Sequence, residues 1–235
     1  MPNAHRNAFG AAALSLGIVA CGSDGPCPAV RAPEAPAELA VLLDPDATTF
    51  QSQAPDTFDV RFGTSHGDVT IRVFREWAPI GADRFFHLAQ HGFFDGNRFF
   101  RVIPGFIVQF GVSGIPAIQE AWNERELLDD SVTMSNEAGT LTFATAGPDT
   151  RTTQVFINYR DNPQLDQSGF APIGRVIEGM GALRLLYSEY GETAPQGNGP
   201  LYQCMLEGGN AYLERRFERL DSITSTTVTR RPTAS

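Results

Sequence analysis

The stretch FFRVIPGFIVQFG, Phe99 to Gly111, decides how this chain is read. Arg101 and Gln109 are its only side chains with hydrogen-bonding capacity, and they stand among aliphatic and aromatic residues on either side of a Pro-Gly bend. Pro104 fixes φ and Gly105 tolerates positive φ, which suits the centre of a type II turn. The bend resets the period-2 alternation of the strand. Beyond it Ile107 and Gln109 share one face, and Phe106 is free to turn toward Arg101. The expected product is an oily wall carrying one cation and one amide.

A second block follows downstream, TFATAGPDTRTTQVFIN from Thr142 to Asn158. It reads as a strand ending at Ala144, a bend at Gly147-Pro148, and a second strand that sets Gln154 and Phe156 on one face. With both blocks present in this order, the chain resembles the cyclophilin family of peptidyl-prolyl isomerases. That family carries an Arg, a Pro-Gly-Phe and a Gln at the first spacing, and an Ala, a Gly-Pro and a Gln-x-Phe at the second. The resemblance covers residues 57–229 and implies a mainly β fold, a closed eight-stranded antiparallel barrel capped by two α-helices. It implies Arg101 and Gln109 as the catalytic pair, Arg101 facing the substrate imide and Gln109 holding a carbonyl. Phe106, Ile107, Phe156 and Leu165 would line the proline pocket. Ala144 and Thr145 would contact substrate beside it; Thr145 stands where the family commonly has Asn, but the implied contact is through the backbone, so that change matters little. Gln154 would support the loop, and Phe170 would complete the wall.

Three positions depart from the family pattern. Gln164 stands where eukaryotic members have a Trp that helps bind cyclosporin, so low sensitivity to that drug is expected. Phe170, after a one-residue insertion, replaces a pocket His, and Phe100 precedes Arg101 where many members have His. None of the three alters the Arg or the Gln, so activity is expected to survive with a changed rate and sequence preference.

The implied chemistry needs no cofactor, metal or nucleophile. Rotation about a peptide bond is slow because the nitrogen lone pair is delocalised, with a barrier of about 18–20 kcal/mol. An apolar hollow that holds the proline ring, with a donor aimed at the nitrogen as its lone pair localises, favours the twisted form. A planar guanidinium suits that task better than an ammonium. The same groove on a chain with little turnover would instead make a chaperone or docking module for Pro-containing segments. A lipocalin-type ligand barrel fits poorly, because a Pro-Gly interruption and a polar pair have no place in its wall.

Composition narrows the partners. The formal net charge is -9, and all 18 basic residues are Arg. An acidic chain without a dense basic patch does not suit nucleic acid. The mixed run ERRFER, Glu214 to Arg219, reads as a solvated helix face. Pro-containing, unfolded or partly folded polypeptides are the expected partners, and a monomer is the expected state.

Residues 1–20 read as a secretory signal, with His5 and Arg6 ahead of the apolar FGAAALSLGIVA, which is too short to span a bilayer. Ile18-Val19-Ala20-Cys21 resembles a bacterial lipoprotein box, which implies acylation of Cys21 and a lipid-anchored protein of the bacterial cell envelope. Residues 21–56, rich in Ala, Pro, Gly and Asp, read as a flexible tether, and 230–235 as a tail. Two cysteines remain, Cys27 and Cys204. In an exported chain they invite a disulfide, although an idle buried thiol at Cys204 is equally compatible with the sequence.

Within the domain, TFDVRFGTSHGDVTIRVF (Thr57 to Phe74) reads as a hairpin. Pro79, the apolar spacing through Ala89, and Gly92 predict an amphipathic helix. His87 and His91 are four apart on it, but no third ligand accompanies them, so no metal is expected. Residues 115–137 read as a solvated loop. A strand is predicted near Ala171–Ile177, a second helix over Met180–Ser188, a Gly- and Pro-rich loop over Glu192–Pro200, a short charged helix over Ala211–Arg219, and a last strand around Ile223–Val228.

Overall fold

A computed structural model of the protein describes residues 26–231. Strands β1 (Thr57–Thr64) and β2 (Gly67–Phe74) form the predicted hairpin in unbroken register, from Thr57 opposite Phe74 to Thr64 opposite Gly67. Phe58, Val60 and Phe62 alternate inward on the first, and Val69, Ile71 and Val73 on the second. The sheet continues with β3 (Arg101–Ile103), β4 (Ile107–Phe110), β5 (Thr140–Phe143), β6 (Val155–Asn158) and β7 (Pro172–Glu178). A separate parallel pair, β8 (Thr193–Ala194) and β9 (Gly199–Leu201), precedes β10 (Ile223–Arg230). The eight-stranded sheet runs in the order β10-β1-β2-β7-β5-β6-β4-β3, antiparallel throughout.

The closed barrel expected from the sequence is corrected by these ladders, which form an open half-barrel. Strands β3 and β10 sit at opposite ends of the order. An isolated bridge between Arg98 and Ser222, with hydrogen bonds from Gly96 N to Ile223 O (2.8 Å), from Ile223 N to Asn97 O (2.9 Å) and from Phe99 N to Asp221 O (3.0 Å), joins the segment before β3 to the start of β10 without making a ladder between the two strands. The physical reason lies in the register: continuing antiparallel from Arg98 and Ser222, β3 would face residues 217–219, where the chain turns (Leu220 N donates to Phe217 O, 3.0 Å) and offers no extended edge.

The concave face holds the aromatic core. Phe62 meets Phe85, Phe94 and Phe110 edge-on at 6.3, 5.6 and 5.6 Å between ring centroids, an arrangement favoured by the ring quadrupoles. Helix α1 (Pro79–Gln90) supplies Ala82, Phe85, Phe86 and Ala89 to this core, as its apolar spacing predicts. Its start is secured by Asp130, whose carboxylate accepts hydrogen bonds from Ile80 N and Gly81 N and pairs with buried Arg151 at 2.9 Å.

Three further expectations change. The solvated loop over 115–137 contains helix α2 (Pro116–Asn123), which buries Ile118 and Trp122; its Pro start and apolar spacing were masked by the charged residues that follow. Helix α3 (Met180–Leu183) is a single turn, because Tyr187 N turns away to donate to Asp221 Oδ2 (2.7 Å). Helix α4 (Tyr202–Arg216) begins well before Ala211 and kinks at Gly209 (φ 53°), where a side chain would collide with the carbonyl of Gly114. The described residues thus hold four α-helices and three 3-10 helices rather than two caps.

The tether is corrected too: from Pro26 to Asp56 the described residues form a strap packed on the domain. Leu42, in the 3-10 helix Ala37–Leu43, is fully buried, and Trp122 Nε1 donates to its carbonyl at 2.8 Å. Phe50 stacks edge-on against Trp122 at 5.0 Å. His87 and His91 face this strap, His87 Nε2 lying 2.6 Å from Ser52 O and the His91 ring 5.1 Å from Phe50. Cys27 and Cys204 are joined in a disulfide with Cα atoms 5.1 Å apart, at the centre of a second apolar cluster that includes Met205, Tyr212 and Leu213. Cys21, the rest of the first 25 residues, and 232–235 lie outside the described residues.

Candidate active site

Sheet register builds the site. Arg101 on β3 lies opposite Gln109 on β4, and Gln109 lies opposite Phe156 on β6, so three adjacent strands present these side chains in one row. The Pro104-Gly105 turn that sets this register has Gly105 at φ 71° and a hydrogen bond from Phe106 N to Ile103 O (3.0 Å), as a type II turn requires. Phe106 turns back over the row, its ring centroid 5.8 Å from Arg101 Cζ. Tyr159 N donates to the Phe106 carbonyl at 2.8 Å and fixes that turn.

The row borders a hollow of about 250 Å³. Phe106, Ile107, Phe156, Leu165 and Phe170 supply its apolar lining, and Ala144 and Thr145 form its rim beside Arg101 and Gln109. The Phe156 and Phe170 rings meet edge-on at 5.7 Å, so the Phe in place of a pocket His closes the wall with carbon. Gln154 sits one step outside, in an adjoining cavity of about 470 Å³ that shares Gln109, Ala144 and Thr145. Nine of the ten side chains singled out from the sequence therefore meet in one hollow, and the tenth stands at its edge.

Polar order runs along the row. Arg101 Nη1 donates to Gln109 Oε1 at 3.1 Å, and Gln109 Nε2 donates to Gln154 Oε1 at 2.9 Å. Ala144 N donates to Gln154 O (2.9 Å), which ties the rim to the same relay. The Arg101 side chain is 20% exposed, low enough for its hydrogen bonds to be only partly screened by water.

Behind the hollow lies a buried polar net. Asn136 Nδ2 donates to Asp166 Oδ1 (2.7 Å) and to Phe170 O (2.8 Å), and Asn162 Nδ2 donates to Asn158 Oδ1 (2.7 Å). These bonds fix the 3-10 turn Pro163–Ser168, which carries Leu165, and the carbonyl side of Phe170. Burial opposes ionisation of Asp166, but the hydrogen bonds from Ser135 and Asn136 outweigh it and hold its carboxyl below the ordinary range.

Sequence reasoning missed two site residues. Glu192, read as part of a Gly- and Pro-rich loop, forms a bidentate pair with Arg101, at 2.6 Å to Nε and 2.7 Å to Nη2. Tyr202, at the start of α4, lines the adjoining cavity, and burial pushes its phenol pKa up. Both lie far along the chain from the two motif blocks, and no local pattern marks either. Chemically, the arrangement is a fixed fork of N–H donors beside an apolar-walled hollow of about 250 Å³. Among the described residues no cluster of three metal-ligating side chains occurs.

Comparison with known proteins agrees with this geometry. Residues 57–205 match the family described as Cyclophilin type peptidyl-prolyl cis-trans isomerase/CLD. A peptidyl-prolyl cis-trans isomerase of Acinetobacter baylyi is 36% identical over 126 residues, spanning 52% of this chain and 67% of that protein. Peptidyl-prolyl cis-trans isomerase B of Escherichia coli is 34% identical over 129 residues, spanning 52% of this chain and 79% of that protein. A solved cyclophilin-type isomerase of Cryptosporidium parvum superposes with a TM-score of 0.55 at 21% identity, covering 75% of this chain and 99% of the other, a likeness of fold. The same protein has been solved in the presence of the dipeptide Ala-Pro. By its motifs, its half-barrel and these relatives, the chain belongs to the cyclophilin-type peptidyl-prolyl cis-trans isomerase family.

Proposed function

We propose that this chain catalyses cis-trans isomerisation of Xaa-Pro bonds in exported proteins, from a lipid-anchored position in the bacterial cell envelope. The observation that carries the activity is the row Arg101, Gln109 and Phe156 set across three strands beside a single apolar hollow. The proline ring enters between Phe106, Ile107, Phe156, Leu165 and Phe170, and Gln109 takes a substrate carbonyl. As the imide twists, its nitrogen becomes pyramidal and gains a localised lone pair, and Arg101 donates to that nitrogen. A charge-assisted hydrogen bond contributes about 1.5–3 kcal/mol. If that bond, desolvation and orientation together lower the barrier by about 5 kcal/mol, the rate rises about five-thousandfold.

Export and anchoring are supported by Cys21 in its lipoprotein-like setting and by the Cys27–Cys204 disulfide, which suits an oxidising compartment. The proposed anchor is a set of acyl chains on Cys21; no helix among the described residues is long and apolar enough to cross a membrane. The chain would act as a monomer and assist folding of its clients.

The activity is tested by a protease-coupled isomerisation assay on a short Xaa-Pro peptide with wild type beside Arg101→Ala. Acceleration by the wild type and a loss of about tenfold in the variant are expected. Equal slow rates for both would point to a holding module instead. The anchor is tested by growth with a radiolabelled fatty acid: label on the full-length chain that Cys21→Ser abolishes is expected, and an unlabelled wild type would end the anchoring idea.

A further inference from the structure

Arg101 does not hang free over the hollow. Its guanidinium has five N–H donors; Nε and Nη2 each give one to Glu192 and Nη1 gives one to Gln109. One hydrogen each on Nη1 and Nη2 remains for a substrate. The carboxylate that imposes this is itself built in. Thr193 N donates to Glu192 Oε1 at 3.0 Å, and Thr193 Oγ1 does so at 3.3 Å. The Glu192 main chain is clasped by the β8–β9 pair: Gly199 N donates to Glu192 O at 2.8 Å, and a Cβ at Gly197 would stand 2.4 Å from that same oxygen. Only glycine at Gly197 admits the clasp.

The scaffold under the clasp is tied to the strap by the disulfide. Strand β9 runs straight into α4, whose first turn carries Tyr202 against the adjoining cavity and Cys204 bonded to Cys27. The segment from Glu192 to Tyr202 thus touches the row at both ends, at Arg101 and beside Gln109 and Gln154.

We infer that Glu192 is a positioning residue of the isomerase, holding the Arg101 fork so that its two remaining donors are presented to the substrate imide. The inference rests on the isomerase reading above and deepens it. A free arginine must be ordered at each turnover, at a cost in rotamer entropy, whereas the clasped one is already aligned. Side-on pairing through Nε and Nη2 fixes the plane of the guanidinium as well as its place. An exposed ion pair such as Arg31–Glu34, a single contact at 3.2 Å, is not built this way: at Arg101 and Glu192 both partners are half-buried, and the Glu192 carboxylate also accepts from Thr193. Hydrogen bonding from Arg101, opposed by burial, holds the Glu192 carboxyl below the usual range, so it is ionised in neutral solution.

The test measures kcat and KM on an Xaa-Pro peptide for the full chain as wild type, Glu192→Gln, Glu192→Ala, Arg101→Ala and the double variant Arg101→Ala/Glu192→Ala. Glu192→Gln keeps the size of the side chain and safeguards the fold. Both Glu192 variants are expected to lose about tenfold in kcat with KM within about twofold, because alignment matters most in the twisted state. The double variant is expected to be no slower than Arg101→Ala, because Glu192 acts through Arg101 alone. Glu192 variants as fast as or faster than wild type would overturn the inference, the latter by showing a carboxylate that masks the guanidinium. A further tenfold loss in the double variant would overturn it as well, by showing a general role of the loop. A wild type without acceleration would overturn the isomerase reading itself, an outcome distinct from either.

Discussion

Replacing Leu42 by Ala asks whether the strap is part of the cooperative fold. Leu42 is 0% exposed and belongs to the main core, although it lies outside the segment that matches the family. The substitution removes three carbons, worth about 2.4 kcal/mol at roughly 0.8 kcal/mol per buried methylene. The cavity left behind, which the surroundings only partly fill, raises the total to about 3–5 kcal/mol. The main-chain carbonyl that accepts from Trp122 Nε1 is untouched, so the loss reports packing alone. Urea unfolding followed by Trp fluorescence and far-ultraviolet circular dichroism measures it. With a slope of about 3 kcal/mol per molar urea, the midpoint should fall by about 1 M or more in both signals together. A change below about 0.5 kcal/mol, or a Trp fluorescence transition that precedes the loss of circular dichroism, would refute the packed strap.

Two further outcomes follow from other parts of the fold. Removing the disulfide with Cys27→Ser and Cys204→Ser opens a loop that spans 177 residues of sequence, for which the chain-entropy relation gives about 5 kcal/mol as an upper estimate and practice about 2–5. The variant should therefore unfold at lower urea than the oxidised wild type, and the reduced wild type should match the variant. At Asp59, burial opposes ionisation, but the hydrogen bonds and charges of Arg72 and Arg231 outweigh it and hold the carboxyl below its ordinary 3.8. Its contribution to stability is thus present above 3.8 and lost as pH falls through the lower folded value. Asp59→Asn should flatten the decline of urea midpoints below about pH 4 relative to wild type, and identical declines would count against the pairing.

What the sequence makes legible is local. The alternation of Phe58, Val60 and Phe62, the turn at Pro104-Gly105 and the row from Arg101 to Gln109 depend on residues a few positions apart, and their periods survive in the fold. Leu165 and Phe170 enter the site through family resemblance rather than period, since Leu165 lies on a 3-10 turn and Phe170 just beyond it, where Asn136 holds its carbonyl. Long-range packing is what stays hidden. The strap has a loop's composition, and only the groove made by α1 and α2 gives Leu42 and Phe50 somewhere to bury. Helix α2 is hard to read from sequence because its eight residues run directly into Glu124, Arg125 and Glu126, which give the segment a loop's polarity. Glu192 is a single acid in a turn-rich segment, and its meaning comes from Arg101, 91 positions away. The barrel stays open because the partner that β3 needs, residues 217–219, is a turn rather than a strand, which no pattern around Arg101 announces.

The most direct test of the guanidinium fork is exchange NMR on an Xaa-Pro peptide, which reads catalysed rotation without a coupling protease. Uncatalysed exchange takes roughly tens to hundreds of seconds. Wild type should shorten it strongly, Arg101→Ala should lose about tenfold or more of that effect, and Arg101→Lys should lie nearer to Ala than to wild type, because an ammonium keeps the charge but not the planar donors. Arg101→Lys and Arg101→Ala exchanging as fast as the wild type would contradict the claim that this side chain favours the twisted imide.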